Sequence, residues 1–285
     1  MIPGSFEYYS ARSLSDAVKF LSDHKDDVKI LSGGQSLLPL MKMRLAKPGY
    51  VLDIGRIPGL DRIVEDGDHL IIGGLVTYTQ MESSDFLKKR CPLLPQTATT
   101  VADVQVRNRG TIGGSIAHAD PAGDMPAAIL ALDAEIQAVG PNGERWIKAG
   151  DFFLGLLMSA LEPDEIVTAV KVPVTGSDKT AYAKAAPRSS GFAVVGVAVR
   201  MAVDGSGNCS RIAVGLTGLT DKAYRAAYVE KMLAGKTIEP ALIDAAALES
   251  THNIDVIEDI NGSSEYRAHL AHVYVARTIQ AALHS

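Results

Sequence analysis

Residues 28–44 read VKILSGGQSLLPLMKMR, and three features of this stretch decide the fold. The apolar run at 28–31 is typical of a strand, and the pair Gly33-Gly34 indicates a tight turn. Residues 37–44 predict a short helix that tolerates Pro39 in its first turn. Adjacent glycines let main-chain amides approach an anion, and a helix start adds a positive dipole end. The stretch predicts a phosphate site, although such a pair more often only makes a turn.

A second glycine pair lies in Thr111-Ile112-Gly113-Gly114-Ser115, far along the chain. Neither pair belongs to a Walker A loop or to a G-x-G-x-x-G dinucleotide motif. Two such turns can hold a diphosphate between main-chain amides and the hydroxyls of Ser36, Thr111 and Ser115. Arg107 and Arg109 stand just upstream, either as added positive charge or as solvated loop side chains.

The segment that follows, HADPAGD at 118–124, groups one histidine with two aspartates. Its spacing fits no zinc pattern, and Asp120 is predicted to cap the turn formed by Pro121 and Gly123. Asp124 is placed to accept hydrogen bonds from ribose or ribityl hydroxyls. The alternative role for Asp124 is the N-cap of a helix that starts at Met125.

Composition limits the function classes. The chain has 285 residues, 47% of them hydrophobic, and a formal net charge of −5 without a basic block, which argues against a nucleic-acid partner. We find neither a signal-peptide run nor a membrane span, so a cytoplasmic location is expected. Cys91 and Cys209 are too few to ligate an iron–sulfur cluster, so any such cluster must lie on another chain. Hydrolase motifs such as G-x-S-x-G and H-E-x-x-H are absent.

Turn signals and periodicity predict an α+β protein of three domains, at 1–56, 57–176 and 177–285. Ser13 and Asp16 have the spacing of a helix cap. The other expected elements are hairpins at 62–72 and 135–148, helices over much of 93–103 and at 125–132, a strand at 166–172, a linker at 175–178, an antiparallel meander across 192–203 and 209–219, and helices at 223–233, 240–247 and 264–283.

Three motifs together carry a family resemblance: SGGQSLLPLM, TIGGSIAHADPAGD, and the segment from FFLGLL to LEPDEI at 152–166. They resemble the FAD-binding medium subunits of bacterial molybdenum hydroxylases, among them the carbon monoxide dehydrogenase medium chains, and more distantly the FAD domain of xanthine dehydrogenase. The resemblance covers essentially the whole chain. It implies a FAD-binding fold of the PCMH, or vanillyl-alcohol-oxidase, type in two subdomains up to about Pro173, followed by a C-terminal domain of antiparallel sheet and helices.

The resemblance also implies which residues bind FAD, and it implies non-covalent binding because no histidine or tyrosine resembles a covalent flavin anchor. Ser115 departs from the family pattern, since relatives often carry Asp or Asn there. Phe192 has a core role as its alternative. The implied contacts are Ser32, Gly33, Gly34, Gln35, Ser36, Leu37, Thr111, Ile112, Gly113, Gly114 and Ser115 at the diphosphate, Asp124 at the sugar or ribityl hydroxyls, Val101 and Ala102 along the cofactor, and Leu161, Lys184 and Phe192 nearer the isoalloxazine.

The function that the resemblance implies is an electron relay. A large partner subunit would hold a molybdenum cofactor, a small one two 2Fe-2S clusters, and FAD on this chain would pass electrons to an acceptor such as NAD or quinone. A dimer of heterotrimers is the implied assembly, and no side chain of this chain need perform covalent catalysis. The alternatives are a self-contained FAD oxidase or dehydrogenase of the same fold and a cofactor-free scaffold protein. The substrate of the complex stays open.

Overall fold

A computed structural model describes residues 2–24 and 26–285, and within them it forms four sheets with helices packed around them. The strands are β1 Glu7–Ser10, β2 Val28–Leu31, β3 Tyr50–Asp53, β4 Ile63–Asp66, β5 His69–Gly73, β6 Glu135–Gly140, β7 Gly143–Lys148, β8 Phe153–Gly155, β9 Met158–Ser159, β10 Ile166–Pro173, β11 Lys179–Ala185, β12 Val195–Val203, β13 Cys209–Thr217 and β14 Tyr224–Arg225.

Twelve α-helices lie in the same described ranges, and none of them is both long and apolar enough to cross a membrane. They are α1 Leu14–His24, α2 Leu37–Lys42, α3 Tyr78–Ser83, α4 Asp85–Arg90, α5 Leu93–Ala98, α6 Val104–Arg107, α7 Ile112–His118, α8 Asp124–Ala131, α9 Ala149–Phe152, α10 Ala227–Leu233, α11 Pro240–Leu248 and α12 Ser264–Leu283. The mixed α+β class expected from the sequence is confirmed.

The first sheet is parallel, with strand order β1-β3-β2. Helix α1 begins where the sequence predicts it, because the Ser13 hydroxyl accepts a hydrogen bond from the Asp16 amide at 3.2 Å. Ala17 and Leu21 are the buried side chains of α1. Sequence patterns did not reveal β1 or β3, which are four residues each and lack an alternating pattern of burial. This sheet positions the first glycine turn directly after β2.

The second sheet has the order β4-β5-β10-β6-β7 and is antiparallel throughout. Both predicted hairpins and the predicted strand at 166–172 are confirmed. Helices α3, α4, α5, α7, α8 and α9 share the largest core with this sheet. The helix expected over much of 93–103 ends at Ala98, because the chain turns and Ala102 adopts a left-handed φ of 38°.

The third sheet has the order β11-β12-β13-β14 and is antiparallel. Strands β12 and β13 confirm the predicted pair, whereas β11 was not predicted. Helices α10 to α12 pack against it in a separate core. The helix predicted at 223–233 begins only at Ala227, because Tyr224 and Arg225 pair with β13 as the short edge strand β14. Local propensity favoured helix there, but the hydrogen bonds of the sheet edge decide the conformation.

The segment predicted as a linker, 175–178, is packed rather than free. Thr175 is buried and its amide donates to the Arg90 carbonyl at 2.7 Å. The Asp178 carboxylate accepts from Arg200 at 2.6 Å and from Arg211 at 2.8 Å, and both strands of that hairpin lie in the third sheet. The two α+β parts of the chain are therefore held firmly where the chain passes between them.

Helix α8 joins the large core to the third sheet. Every one of its residues is buried, which agrees with the buried helix predicted from its apolar sequence. Strand β13 crosses it so closely that a Cβ built on Gly215 would lie 2.1 Å from the Ala127 carbonyl oxygen. The Thr217 hydroxyl donates to the Gly123 carbonyl at 2.9 Å, just ahead of the helix. The start of α8 is thus packed tightly between the large core and the third sheet.

We expect Gly215→Ala to lower the free energy of unfolding by about 1–3 kcal/mol, because the added methyl group overlaps main-chain atoms of α8. Gly150→Ala is the matched control, since a Cβ there has no neighbour within 4 Å. Urea unfolding followed by circular dichroism measures both. Equal stability of the two variants would show that β13 can move away from α8 without cost.

Candidate functional site

The two glycine turns meet in space, as the sequence predicted. The Ser32 and Thr111 hydroxyl oxygens are 2.7 Å apart and share a hydrogen bond. A Cβ built on Gly33 would lie 1.9 Å from the main-chain oxygen of Arg109, and one built on Gly114 would lie 3.7 Å from the Ser32 Cβ. Glycine is required at position 33, because any side chain would push the two segments apart.

Gly34 is required for a different reason. Its φ is +78°, in the left-handed region, and a Cβ there would lie 3.0 Å from the side chains of Leu31 and Leu38. This conformation turns the chain sharply between β2 and α2.

The first turn offers hydrogen-bond donors. Within the described ranges, the main-chain N–H groups of residues 33–36 donate to no other atom of the chain. Ser36 precedes α2 without capping it through its side chain, so its exposed hydroxyl is also available. Several free donors on one short turn fit a bound phosphate group.

The second turn differs, because the amides of residues 112–115 are already bonded within the chain. Ile112 donates to the Val76 carbonyl at 3.0 Å and Gly113 to the Gly74 carbonyl at 2.9 Å. Gly114 donates to the Thr111 hydroxyl at 3.1 Å and Ser115 to the Thr111 carbonyl at 3.0 Å. The prediction that both turns present free amides is therefore wrong for residues 112–115 of the second turn. That turn instead holds the first one in position through the hydrogen bond between Thr111 and Ser32.

Tyr78 supports the second turn and was missed by sequence reasoning. Its amide donates to the Gly110 carbonyl at 3.0 Å, and its buried ring fills the space beside Gly110, where a Cβ would lie 2.8 Å from a ring carbon. Burial raises the pKa of its phenol well above the ordinary value, and the neighbouring Ser115 side chain offsets part of that effect. No local motif marks Tyr78, because its role depends on a turn more than thirty positions away.

Asp124 is the first residue of α8 and faces β11 of the third sheet. We call this boundary between the large core and the third sheet the seam. Lys184 donates to one carboxylate oxygen at 2.9 Å and the Tyr182 hydroxyl to the other at 2.5 Å, both from β11. Burial raises the pKa of the Asp124 carboxyl, and the neighbouring ammonium offsets part of that effect. The alternative role as N-cap is wrong, because Gly123 occupies that position and no side chain caps α8.

The buried lysine also binds the loop that carries Phe192. Lys184 donates to the Gly191 carbonyl at 2.6 Å, and Gly191 approaches Ala102, with a built Cβ 3.2 Å from the Ala102 Cα. Phe192 is 54% exposed, so its alternative role as a core residue is wrong. The structure thus brings Ala102, Asp124, Lys184 and the Phe192 loop together.

Other predicted residues lie at the edges of this arrangement. Leu161 packs against the large core shortly after β9, and β9 in turn packs beside α7. Val101 is partly buried on the same core. The Arg107 guanidinium binds Glu82 at 2.8 Å and the Val101 carbonyl at 3.1 Å, so it is neither free in solvent nor directed at the glycine turns. Asp120 caps its turn as predicted, accepting from the Ala122 amide at 2.8 Å.

Comparison with protein families matches both parts of the chain. Residues 4–175 match the family described as the FAD binding domain in molybdopterin dehydrogenase. Residues 180–282 match the CO dehydrogenase flavoprotein C-terminal domain. The chain therefore belongs to the FAD-binding medium subunits of the molybdenum hydroxylases, and it is the FAD subunit of an oxidoreductase complex.

Individual relatives agree with this assignment. The chain is 38% identical to the carbon monoxide dehydrogenase medium chain of Hydrogenophaga pseudoflava, covering 99% of this chain and 98% of that one. It is 39% identical to the nicotine 6-hydroxylase medium subunit of Paenarthrobacter nicotinovorans, covering 96% of each. A solved structure of carbon monoxide dehydrogenase from Hydrogenophaga pseudoflava superposes with a TM-score of 0.97 at 40% identity, covering 100% of this chain and 99% of that one.

We expect Gly33→Ala to weaken FAD binding at least tenfold, because the new Cβ would overlap the Arg109 carbonyl and separate the turns. Titration of the FAD-free protein, followed by flavin fluorescence, measures the dissociation constant. Gly150→Ala serves again as the control and should bind FAD normally. An unchanged affinity in Gly33→Ala would show that the approach of the turns is unimportant for the cofactor.

We also expect Tyr78 and Ser115 to be energetically coupled in FAD binding. Tyr78→Phe removes the phenol that contacts Ser115 and should weaken binding about three- to tenfold, in the range of one lost hydrogen bond. Ser115→Ala should have a similar effect, and the double variant should be little worse than either single one. Strictly additive effects in this double-mutant cycle would contradict the coupling.

Proposed function

We propose that the chain binds FAD non-covalently and relays electrons from 2Fe-2S clusters on a small partner subunit to an external acceptor. Substrate oxidation would take place at a molybdenum cofactor on a large partner subunit. The observation that carries the proposal is the junction of the two glycine turns, in a chain whose whole length matches FAD-binding medium subunits.

The first turn would hold the diphosphate. Its free amides and the Ser36 hydroxyl supply neutral donors, and α2 begins at the same place. The second turn would act chiefly through rigidity, with Ser32 and Thr111 joining the two turns and Ser115 adding a hydroxyl. We propose the following residues for the diphosphate: Ser32, Gly33, Gly34, Gln35, Ser36, Leu37, Thr111, Ile112, Gly113, Gly114 and Ser115.

The remaining contacts would come from both sides of the seam. Asp124 is anchored by Lys184 and Tyr182, so its position is fixed before any cofactor arrives. Its carboxylate retains acceptor capacity for a sugar or ribityl hydroxyl, since each oxygen has two lone pairs. Val101 and Ala102 would line the cofactor, and Leu161, Lys184 and Phe192 would lie nearer the isoalloxazine. The proposed domains are 1–56, 57–176 and 177–285, with FAD between the first two.

The relay role follows from the chemistry that this chain supplies. When bound, FAD accepts and donates electrons, and the protein's part is to bind it, orient it and set its surroundings. Cys91 and Cys209 are buried in different cores, where burial raises the pKa of both thiols, so neither is placed as a cluster ligand or nucleophile. Electrons would therefore enter from another chain, in an assembly that we propose to be a dimer of heterotrimers.

The isolated chain, loaded with FAD, provides the test. We expect dithionite to reduce the flavin while carbon monoxide, purines, aldehydes and N-heterocycles leave it oxidised. Addition of the partner subunits with the native substrate should then bleach the visible absorbance of the oxidised flavin. Rapid reduction of the isolated chain by one of these substrates would contradict the relay and favour a self-contained oxidase. Failure to retain FAD at all would favour a scaffold protein.

A further inference from the structure

The hairpin β8–β9 presents an apolar tip to solvent. Residues 152–161 read FFLGLLMSAL and contain no charged side chain. Leu154 is 52% exposed, Leu156 62%, Leu157 52% and Met158 59%. Single exposed leucines are common on protein surfaces, but four large apolar side chains on one short ribbon form a patch. Such patches are typical of protein–protein interaction sites.

The tip is rigidly supported. Phe152 and Phe153 at its base are buried and pack edge to face with ring centres 5.3 Å apart. Arg145 donates to the Ala160 carbonyl at 2.7 Å and binds both oxygens of Glu165, which fixes the return of the chain. A surface held in place before binding loses little conformational entropy when a partner docks.

Leu157 adopts a backbone conformation that is unusual for leucine. Its φ is +54°, in the left-handed region that glycine and asparagine adopt at little cost. A leucine at this position strains the backbone and exposes an apolar side chain, and neither effect stabilises the isolated chain. Departures of this kind are expected where a residue serves a function other than folding.

The hairpin lies beside the proposed FAD site. Strand β9 packs against α7, the helix that begins at the second glycine turn. Gly155 approaches the other half of the molecule, with a built Cβ 3.3 Å from a carboxylate oxygen of Asp221. The hairpin therefore contacts both parts of the chain that border the seam. Electron transfer weakens steeply with distance, so a donor to FAD has to dock close to this seam.

We propose that the hairpin at 152–161 is the docking surface for the iron–sulfur subunit that donates electrons to the FAD of this chain. The inference rests on the proposed relay function. The partner surface would be an apolar depression without charged side chains at its centre, because the tip offers no charge to pair with.

The test uses a double variant, Leu156→Ser with Leu157→Asn, in the full complex captured through a tag on this chain. Asparagine tolerates the left-handed conformation, so the variant should fold and bind FAD at least as well as the native chain. Leu248→Asn is the matched control, because Leu248 is 61% exposed at the end of α11. Iron and acid-labile sulfide per FAD measure the iron–sulfur chain recovered.

We expect at least a tenfold loss of iron and sulfide per FAD in the double variant and none in Leu248→Asn. Full recovery of the iron–sulfur chain by the double variant would overturn the proposal. Loss of the molybdenum subunit alone would also overturn the proposal, because it would assign the tip to that subunit. The same holds if the native chain self-associates and the double variant does not, because the tip would then bind a second copy of this chain. If the native chain itself recovers FAD but no iron–sulfur chain, the proposed function fails independently of the hairpin.

Discussion

The structure depends on the close approach of two main-chain segments, at Gly33 and at Arg109. The approach leaves no room for a side chain at position 33, and the hydroxyls of Ser32 and Thr111 bond across the same junction. Because β2 leads into one segment and α7 follows the other, the junction fixes the first sheet against the large core. The phosphate site that we propose there would need no lysine or arginine, since the main-chain amides of residues 33–36 have no acceptor within the described part of the chain.

The C-terminal part completes the site through charge. Burying Asp124 would be costly without a partner, and Lys184 and Tyr182 from β11 supply one for each oxygen. Lys184 also holds the carbonyl of Gly191, so the same ammonium orders the loop that carries Phe192. The third sheet therefore packs on α8 and also forms one wall of the seam. A cofactor and a partner subunit would both depend on the position of this wall.

The relatives are informative about where specificity lies. Similar medium subunits belong to enzymes named for carbon monoxide and for nicotine, two molecules with little chemistry in common. A chain that is 38% and 39% identical to these two is better suited to a shared task than to recognition of either molecule. Binding of FAD is such a task, and the relay that we propose would leave substrate choice to another subunit.

The sequence alone determined the features that depend on neighbouring residues. The glycine pairs, the Ser13 cap, the hairpins and the two cysteines are local, and turn chemistry or composition reveals them without knowledge of the fold. Its family resemblance also named the cofactor, while the individual contacts with FAD stay predictions. Only the tertiary structure decided that the amides of residues 112–115 are bonded within the chain, that Arg107 binds Glu82, and that Asp124 pairs with Lys184. These outcomes depend on which distant segments pack together, because a buried donor or acceptor takes the partner that packing provides.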